Sequence, residues 1–386
     1  MGILPAIAEF AHDLTAIRRD LHAHPEIGFE EVRTSGIVAD KLASWGIEVH
    51  REVGRTGVVG ILHGTGGPGR RIGLRADMDA LPIEELTNLP WRSTKPGTMH
   101  ACGHDGHTTM LLGAARYLAE NRGFKGTAVF VFQPAEEGLG GARAMLADRL
   151  FERFPCDEIY GLHNSPYLEP GQVAVWPGEA MAGADFFDIK IRGAGSHGAM
   201  PHVGRDPIVA ATALAQALQT IVSRNADPLQ AAVLSITQIH AGSAYNVIPE
   251  EAALAGTIRT FSRDLAALVH ERMRTIAAGV ALSFGMEIDV DIRPIFEVLV
   301  NTPAEANAMA DAAREIVGDD GVLTDPHPMM GSEDFADMLR AVPGSYAFVG
   351  HTGTVPLHNP AFVLGEEILP VGASVLARVV ERRLAA

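Results

Sequence analysis

The chain has 386 residues, 47% of them hydrophobic and 20% charged, which is enough for more than one globular domain without disulfides or disorder. Its 31 basic and 47 acidic side chains give a formal charge of −16, which argues against nucleic acid and against an anionic membrane surface as partners. Two cysteines are too few for a disulfide framework. The first residues contain no basic stretch followed by an apolar core, and no apolar run reaches the ~18 residues that a membrane span needs, so we expect a cytoplasmic protein.

Strands and helices alternate in the first part of the chain. Periodic apolar residues predict helices over residues 7–21, 35–45 and 108–120. Short and almost wholly apolar runs predict strands at residues 58–62, 71–76, 127–132 and 158–162. Strands without polar alternation are buried on both faces, so we expect an α/β domain whose mixed sheet is covered by helices.

The pattern changes after residue 177. Strands are predicted at residues 186–191, 232–239, 252–258 and 288–292, with helices at 207–221 and 265–284. This βαββαβ order predicts a ferredoxin-like α+β domain, in which two helices cover one face of a small sheet. From about residue 302 the chain returns to helices, with a strand at 345–349 and a last helix over 366–384. We therefore expect an α/β domain formed by residues 1–180 and 298–386, interrupted by an inserted domain over residues 181–297.

Five polar segments follow predicted strands or begin a predicted helix. In chain order they are Asp77-Met78-Asp79, Cys102-Gly103-His104-Asp105-Gly106-His107, Glu136-Glu137-Gly138, Leu162-His163-Asn164 and Pro356-Leu357-His358-Asn359. Ligands of open α/β sheets bind at the carboxyl ends of the strands, so these segments can meet at one edge of the sheet. Cysteine, histidine and carboxylate side chains gathered at one place indicate a metal site.

Cys102 and His104 are separated by a single glycine in the turn before a helix. Such a turn can aim both side chains at one metal ion, and the N-terminus of the helix would help to keep a thiolate ionised. The alternative is a buried cysteine beside a helix cap. His107 lies on the same helix face, three residues after His104, and is expected to support the site or to pack.

Glu136 and Glu137 are adjacent residues that follow an apolar strand. Adjacent side chains beyond a strand can point in different directions, so one carboxylate can bind metal while the other accepts a proton from water. A solvated acidic pair is the alternative, which the position after a buried strand disfavours. His163 and His358 each follow a strand, and by itself either one could be an ordinary core histidine.

A series of motifs runs along nearly the whole chain. In order they are Arg19–Glu26, Arg75–Pro82, Met99–His107, Phe132–Gly138, Gly161–His163, Gly195–His197, Asn246–Pro249, Gly331–Phe335 and Leu357–His358. Together they resemble the motifs of the aminoacylase/carboxypeptidase family of dinuclear metallo-amidohydrolases. Within that family they are similar to the branch of hippurate hydrolase, N-acyl-amino-acid amidohydrolases and indole-acetyl-amino-acid hydrolases.

The resemblance implies that the α/β domain is a catalytic domain of the metal-dependent exopeptidase type and the inserted domain a lid and dimerisation domain. It implies that the metal ligands are Cys102, His104, Glu137, His163 and His358. The sulfur of the cysteine would stand where relatives place a bridging aspartate. Glu136 would be the general base and Asp79 a support of the metal site. Asp77 stands where relatives have a ligand histidine, and it remains unassigned.

The resemblance also implies groups outside the metal site. His197 would stabilise the developing oxyanion by reaching across a homodimer into the partner's site. Asn246 and Arg259 would hold the free carboxylate of the substrate, for which the planar guanidinium is suited. Two divalent transition metal ions are implied: the donor set suits Zn²⁺, the family branch is often described with Mn²⁺, and Co²⁺ or Ni²⁺ can replace them in some members.

The activity that follows is hydrolysis of the amide bond of a small-molecule N-acyl-L-amino acid, which releases a carboxylic acid and an amino acid. A carboxypeptidase or dipeptidase of the same family is one alternative, and Cys102 in place of aspartate disfavours it. A metal-binding relative without catalysis is another, and Glu136 beside Glu137 disfavours it. A serine hydrolase is weaker still, since the sequence contains no Gly-x-Ser-x-Gly motif. The acyl group and the preferred amino acid stay open.

Overall fold

A computed structural model describes residues 2–325 and 327–385, and these divide into two compact units. The first unit is formed by the described residues of 1–180, 300–327 and 334–386, and the second by residues 181–299 and 328–333. Each unit has its own sheet and its own hydrophobic core. Within the described residues, no helix is both long enough and apolar enough to cross a lipid bilayer.

Helices and strands alternate in the chain up to residue 181. The helices are α1 (Pro5–Glu9), α2 (Ala11–Ala23), α3 (Val32–Ser44), α4 (His104–Glu120), α5 (Gly141–Ala147) and α6 (Leu150–Arg153). The strands are β1 (Glu48–Val53), β2 (Gly57–His63), β3 (Arg71–Asp77), β4 (Thr127–Gln133), β5 (Glu158–Ser165), β6 (Val173–Ala174) and β7 (Gly178–Met181).

The chain then forms the elements of the second unit and returns to the first. The second unit has β8 (Gly183–Arg192), β9 (Ser196–His197), α7 (Pro207–Thr220), β10 (Ala232–Ala241), β11 (Val247–Ile248), β12 (Glu251–Thr260), α8 (Arg263–Phe284) and β13 (Glu287–Phe296). The remaining elements are β14 (Leu299–Asn301), α9 (Pro303–Val317), β15 (Val322–Leu323), α10 (Phe335–Ala341), β16 (Gly344–Gly350) and α11 (Ile368–Arg383).

The first unit is built on a mixed sheet. Among the described residues its eight strands follow the order β1-β2-β4-β3-β5-β16-β6-β15. Strands β4, β3, β5 and β16 are parallel neighbours, whereas β1 and β2 pair antiparallel at one side. The residues of β4, β5 and β16 are all buried, as the continuous apolar runs predict. Because these neighbours are parallel, their carboxyl ends open onto the same edge.

Some element boundaries differ from the sequence prediction. Helix α4 begins at His104 and not at residue 108, because the backbone of Gly103 turns into the left-handed region with φ 92° directly before it. The first predicted helix is divided into α1 and α2 at Phe10. Strand β1 has no counterpart in the prediction, since this antiparallel edge strand is mostly polar and only its last residue is buried.

The second unit is a four-stranded antiparallel sheet covered by two helices. Its strand order is β10-β12-β8-β13, and α7 and α8 pack against the same core. Buried and more exposed residues alternate along β12, as expected for a sheet with one covered face. The predicted βαββαβ order is confirmed, and the strand order is that of a ferredoxin-like fold. Strands β9 and β11 form a separate small ladder.

Candidate metal centre

The predicted metal ligands are positioned by three strands and one helix of the first unit. Glu136 and Glu137 follow β4, and His163 lies within β5. His358 lies in the loop that follows β16, and His104 is the first residue of α4. All of these elements open onto the edge of the sheet where the parallel strands end, as the topology predicts.

The structure brings the five predicted ligands into one cluster. The Sγ atom of Cys102 lies 3.5 Å from Nε2 of His163. Oε1 of Glu137 lies 3.2 Å from Nε2 of His358 and 3.9 Å from Nε2 of His104. We refer to these five side chains as the ligand cluster.

Cys102 belongs to two groups of potential ligand atoms. In one group its sulfur lies with His104 and His163, and in the other with Glu137 and His358; within each group the donor atoms are all less than 4.8 Å apart. A sulfur atom shared by two groups can face two ions at once. Thiolate, imidazole and carboxylate donors suit zinc and its neighbours among the divalent transition metals.

His104 has one ring nitrogen with a hydrogen-bond partner and one without a partner among the described residues. The side chain is buried, and its Nδ1 lies 3.2 Å from Oδ1 of Asp79. Its Nε2 forms no hydrogen bond with any residue that the structure describes. A buried polar atom without a partner costs about 1–3 kcal/mol, and a carboxylate behind the ring is typical of a metal-binding histidine. The residues present therefore fit bound metal ions.

Asp79 connects two of the loops that carry ligands. One carboxylate oxygen faces His104, and the other accepts a hydrogen bond of 3.0 Å from the backbone N–H of Glu137. The side chain is buried, so both contacts are sheltered from water. This geometry supports the predicted role of Asp79 as a residue that orients ligands.

Asp77 and His107 form a second layer behind the ligands. Oδ1 of Asp77 lies 2.6 Å from Nδ1 of His107, and Nε2 of His107 lies 2.7 Å from Oδ1 of Asn164. The backbone N–H of Asn164 also lies 3.0 Å from the same ring nitrogen. His107 therefore connects β3 with the strand that carries His163, which is the supporting position expected for it.

A buried arginine organises the base of the site. Arg75 donates hydrogen bonds to Oδ2 of Asp77 at 2.7 Å, to Oε1 of Gln133 at 2.8 Å and to Oδ1 of Asp334 at 3.2 Å. The side-chain amide of Gln133 also donates to Asp334 at 2.7 Å. These four residues are the Arg75 cluster. The backbone N–H of Asp334 lies 3.4 Å from Oε1 of Glu136, so the cluster extends to the predicted base.

The sequence prediction assigned no function to Arg75, Gln133 or Asp334. Each lies within one of the motifs that carry the family resemblance, so a signal was present. Their role depends on contacts between distant parts of the chain, with Asp334 more than 250 residues after Arg75. Such contacts leave no local spacing that could reveal them.

Gly103 holds Cys102 and His104 in their relative positions. Its φ of 92° lies in the left-handed region, which disfavours residues with a side chain. A Cβ atom at this position would also lie 2.4 Å from Oδ1 of Asn164. Glycine is therefore required on two counts, and the turn that directs both ligands depends on it.

The backbone of His358 is fixed by a hydrogen bond, whereas its side chain is half exposed. Its φ is 61°, unusual for a residue other than glycine, and its N–H donates a hydrogen bond of 2.9 Å to the carbonyl of Ala101. This bond fixes the loop beside Cys102. The side chain of His358 is 50% exposed, in contrast with the buried rings of His104 and His163.

Burial and hydrogen bonding shift the pKa values of two side chains of the ligand cluster. Burial raises the pKa of the Cys102 thiol. Hydrogen bonds with Cys102 and Glu137 raise the pKa of His358 to about 10. Divalent cations would replace these protons, because metal ligands bind as thiolate and as neutral imidazole.

The remaining predicted site residues lie in the second unit. His197 on β9 pairs with Val247 on β11, and the backbone of Gly198 donates a hydrogen bond of 2.8 Å to the carbonyl of Asn246. His197 and Asn246 thus lie near each other and are both exposed. Arg259 on β12 is half-buried, and burial lowers the pKa of its guanidinium. No carboxylate among the described residues forms a salt bridge with Arg259, so its charge is available to an anion.

The chain is similar to known proteins along nearly its full length. Hippurate hydrolase from Campylobacter jejuni is 41% identical over 379 residues, which cover 98% of each chain. N-acetylcysteine deacetylase from Bacillus subtilis is 41% identical over 372 residues, which cover 95% of each chain. A crystal structure of a dinuclear metal-binding peptidase of the M20 family from Bacillus subtilis matches with a TM-score of 0.85 and 38% identity, covering 98% of this chain and 99% of that one.

The family itself is identified by a match over most of the chain. Residues 73–382 match the model of peptidase family M20/M25/M40. The match includes all five side chains of the ligand cluster, and the aligned relatives span the chain almost from end to end. The resemblance drawn from the motifs is thereby confirmed, and the chain belongs to peptidase family M20/M25/M40.

Proposed function

We propose that this protein hydrolyses the amide bond of N-acyl-L-amino acids in a metal-dependent reaction, releasing a carboxylic acid and an amino acid. The observation that carries the proposal is the ligand cluster beside a buried second carboxylate, Glu136, in a chain 41% identical to a hippurate hydrolase and to an N-acetylcysteine deacetylase. The names of both relatives describe the removal of an acyl group from an amino acid. We assign the same class of reaction to this chain.

Two divalent transition metal ions are proposed as cofactors. His104 and His163 would hold one ion and Glu137 and His358 the other, with the sulfur of Cys102 between them, because the donor atoms lie in those two groups. Zn²⁺ is favoured by the soft thiolate and Mn²⁺ by the family resemblance, and Co²⁺ or Ni²⁺ are further candidates. When bound, the ions supply a Lewis acid for the amide carbonyl and lower the pKa of water.

Glu136 is proposed as the general base. Its carboxylate is buried and lies within 4.8 Å of the donor atoms of His104 and Glu137, yet it is not needed to complete either group around the sulfur. It can accept a proton from the attacking water and then pass it to the leaving nitrogen. One carboxylate therefore serves both halves of the reaction, and such proton transfer contributes about 10²–10⁴-fold to the rate.

The second unit is proposed to bind the substrate and to dimerise. Arg259 and Asn246 would hold the free carboxylate of the amino acid, and His197 would donate a hydrogen bond to the developing oxyanion. Strand β10 ends the sheet of this unit, and no described strand pairs with its outer edge. Exposed apolar side chains on and near it, Leu229, Ile239, Tyr245 and Val247, suit contact with a second copy of the chain.

The homodimer and the role of His197 can be tested together. If His197 acts in the partner's site, Glu136→Gln and His197→Ala are both inactive alone, yet a re-equilibrated mixture regains activity. A hybrid dimer then contains one site with both residues intact. Light scattering measures the mass of the particle. A monomeric mass, or a mixture without recovery, contradicts the proposal.

A family peptidase that cleaves short peptides is the second candidate, because both the family and the solved relative carry the name peptidase. The deciding assay compares benzoyl, acetyl, longer acyl and indole-acetyl amino acids with dipeptides, with metal content measured on the same sample. Faster cleavage of dipeptides than of every N-acyl amino acid would favour the peptidase. The cytoplasm is the proposed location.

The test of the mechanism is the substitution Glu136→Gln. We expect two metal ions per chain and a loss of turnover of about 10²–10⁴-fold, because the amide cannot accept the proton. Glu271→Gln is the matched control, since this glutamate is exposed on α8. Turnover near that of the parent in Glu136→Gln would remove it as the base.

A further inference from the structure

The segment Glu26–Glu31, between α2 and α3, contacts the loop after β3, which carries Asp79, and the loop after β4, which carries Glu136 and Glu137. The carbonyl of Glu26 accepts a hydrogen bond of 2.8 Å from the N–H of Ala80, and Ile27 forms an isolated β-bridge with the same residue. Ala80 directly follows Asp79, the residue that faces His104. One end of the segment is therefore attached to the loop after β3.

The middle of the segment packs against the loop after β4. A Cβ atom on Gly28 would lie 2.9 Å from both Cα and Cβ of Ala135. Ala135 is completely buried and precedes Glu136 directly. Only a glycine allows the two backbones to approach this closely.

The end of the segment supplies a carboxylate to the same loop. Oε1 of Glu31 accepts a hydrogen bond of 2.8 Å from the backbone N–H of Ala135, and its Oε2 accepts one from the hydroxyl of Thr56. Glu31 is buried, and burial is the main cause that raises its pKa to about 7. Burial of a carboxyl group costs free energy. Glu31 is nevertheless buried where it accepts a hydrogen bond from a backbone N–H that lies 104 residues further along the sequence.

Glu31 does not cap α3 with its side chain, although it stands at the N-cap position. It occupies the N-cap of α3, where a side-chain oxygen normally accepts from the first N–H groups of its own helix, but it forms no such bond. Glu26 accepts those bonds instead, from the N–H groups of Arg33 at 3.1 Å and Thr34 at 2.8 Å. The carboxylate of Glu31 is thereby available to Ala135.

The backbone that Glu31 holds is in an unfavourable conformation. Ala135 has a φ of 53°, in the left-handed region, which costs an alanine about 1–2 kcal/mol. Its carbonyl is also held, by a hydrogen bond of 2.9 Å from the N–H of Gly141. The turn at Ala135 decides where the next two side chains, Glu136 and Glu137, point.

We propose that Glu31 is a positioning residue for the reaction, which holds Ala135 in its left-handed conformation and thereby directs Glu136 toward the attacking water and Glu137 toward the metal ions. This inference rests on the proposed role of Glu136 as base. Gly28 contributes by allowing the close approach, and the acceptor oxygen of Glu31 contributes the bond.

The first experiment compares three variants by kcat, KM, melting temperature and the visible spectrum of the cobalt-loaded enzyme. In Glu31→Ala, Ala135 loses its acceptor, so kcat should fall about 10–100-fold with little change in KM, and the ligand-sensitive cobalt bands should shift. Glu31→Gln keeps a carbonyl oxygen for Ala135 and should stay within about threefold of the parent. Thr56→Val removes only the other bond and should leave the cobalt bands unchanged.

A second pair of variants tests the loop without touching Glu31. Gly28→Ala should displace Ala135 and lower kcat. Gly36→Ala is the control, because nothing lies within 4 Å of the position that a Cβ atom on this residue would take. The proposal is overturned if Glu31→Ala and Gly28→Ala keep the kcat and cobalt bands of the parent. It is overturned equally if Glu31→Gln loses as much kcat as Glu31→Ala. If Glu31→Ala does not fold, Glu31→Gln and Gly28→Ala decide.

Failure of the base assignment gives a different result. If Glu136→Gln keeps its turnover, the proposed role of Glu136 is wrong, whereas the cobalt bands of the Glu31 variants still report on Glu137. If Glu136→Gln is inactive and the Glu31 and Gly28 variants behave as the parent does, only the positioning role is wrong.

Discussion

The ligand cluster and the Arg75 cluster lie at the same edge of one sheet. They differ in whether their buried polar groups have hydrogen-bond partners within the chain. In the Arg75 cluster, each of the three guanidinium nitrogens meets an oxygen of Asp77, Gln133 or Asp334. In the ligand cluster, Cys102 has a thiol whose pKa is raised by burial, and a nitrogen of His104 forms no hydrogen bond with a described residue. Each charged side chain of the first cluster is hydrogen-bonded within the chain, whereas the second contains a buried nitrogen without such a partner among the described residues.

This difference in partners indicates that the Arg75 cluster stabilises the fold and that the ligand cluster serves the reaction. A buried charge that is paired and hydrogen-bonded belongs to the stability of the chain, and removing one partner is costly. A group of donors in which a buried nitrogen has no partner is suited to ions supplied from outside, which bind the folded state more tightly than the unfolded one. Changes to the two clusters should therefore have different consequences, although some of their atoms are neighbours.

Removal of the metal ions should have the largest effect on the reaction. A chelator should lower turnover by more than the ~10²–10³-fold that loss of one oxyanion donor causes, because both the Lewis acid and the activation of water are lost. The melting temperature should fall while far-ultraviolet circular dichroism still shows a folded chain, because the Arg75 cluster is unaffected. Adding back Zn²⁺ or Mn²⁺ should restore turnover. A metal-free protein with full activity would contradict the assignment.

Substitution of Cys102 should have the next largest effect. Cys102→Ala removes a donor shared by both groups, so elemental analysis should find fewer than two ions per chain and turnover should fall by more than about 10²-fold. Cys156→Ala is the control, since the other cysteine lies outside every group of metal donors among the described residues. Two tightly held ions in Cys102→Ala would exclude the sulfur as a ligand.

Substitution of Asp79 tests the layer behind the ligands. In Asp79→Asn the side-chain amide can face Nδ1 of His104, which would move the proton of the ring to Nε2, the atom that is proposed to bind metal. We expect metal affinity or turnover to fall by about 10–100-fold, measured by competition with a chromophoric chelator. Asp40→Asn, at an exposed position, is the control. An affinity equal to that of the parent would show that Asp79 does not set the tautomer.

Substitution of Arg75 should affect turnover least and stability most. Arg75→Met removes the guanidinium that pairs with the buried carboxylates of Asp77 and Asp334, so the free energy of unfolding should fall by about 3–5 kcal/mol in urea titrations. Arg51→Met removes an exposed ion pair and should cost less than about 1 kcal/mol. The folded fraction of Arg75→Met should still hold two metal ions. Loss of metal without loss of stability would break the distinction between the clusters.

Much of the fold could be predicted from the sequence. Continuous apolar runs identify β2, β3, β4, β5 and β16 as buried strands, and the βαββαβ order of the predicted elements after residue 177 identifies the second unit. The short strands and the polar edge strand β1 could not be predicted. Their pairing depends on neighbours that are distant in the sequence, and two-residue strands such as β6 leave no periodicity.

The segments that carry the ligands could be proposed from the sequence because they follow strands or begin a helix, and parallel strands gather such positions at one edge. The ligands among their residues are named by the family resemblance. The supporting residues are of a different kind. Glu31 looks like a helix cap and Arg75 like a residue within a strand, and their functions arise from contacts made by the folded chain. Periodicity and spacing describe neighbours along the chain, so they cannot reveal a carboxylate that bonds a backbone N–H 104 residues away.

The unequal burial of the ligands has a consequence for the rates of metal exchange. His163 lies within β5 and His104 at the start of α4, and both rings are buried, whereas His358 sits on a loop with half of its side chain exposed. On the proposed assignment, an ion held by His358 would leave when one loop moves, but an ion held by His104 and His163 would have to wait for regular secondary structure to open. Two ions bound with equal affinity would then depart at different speeds, the first in the time of a loop motion and the second in that of a local unfolding.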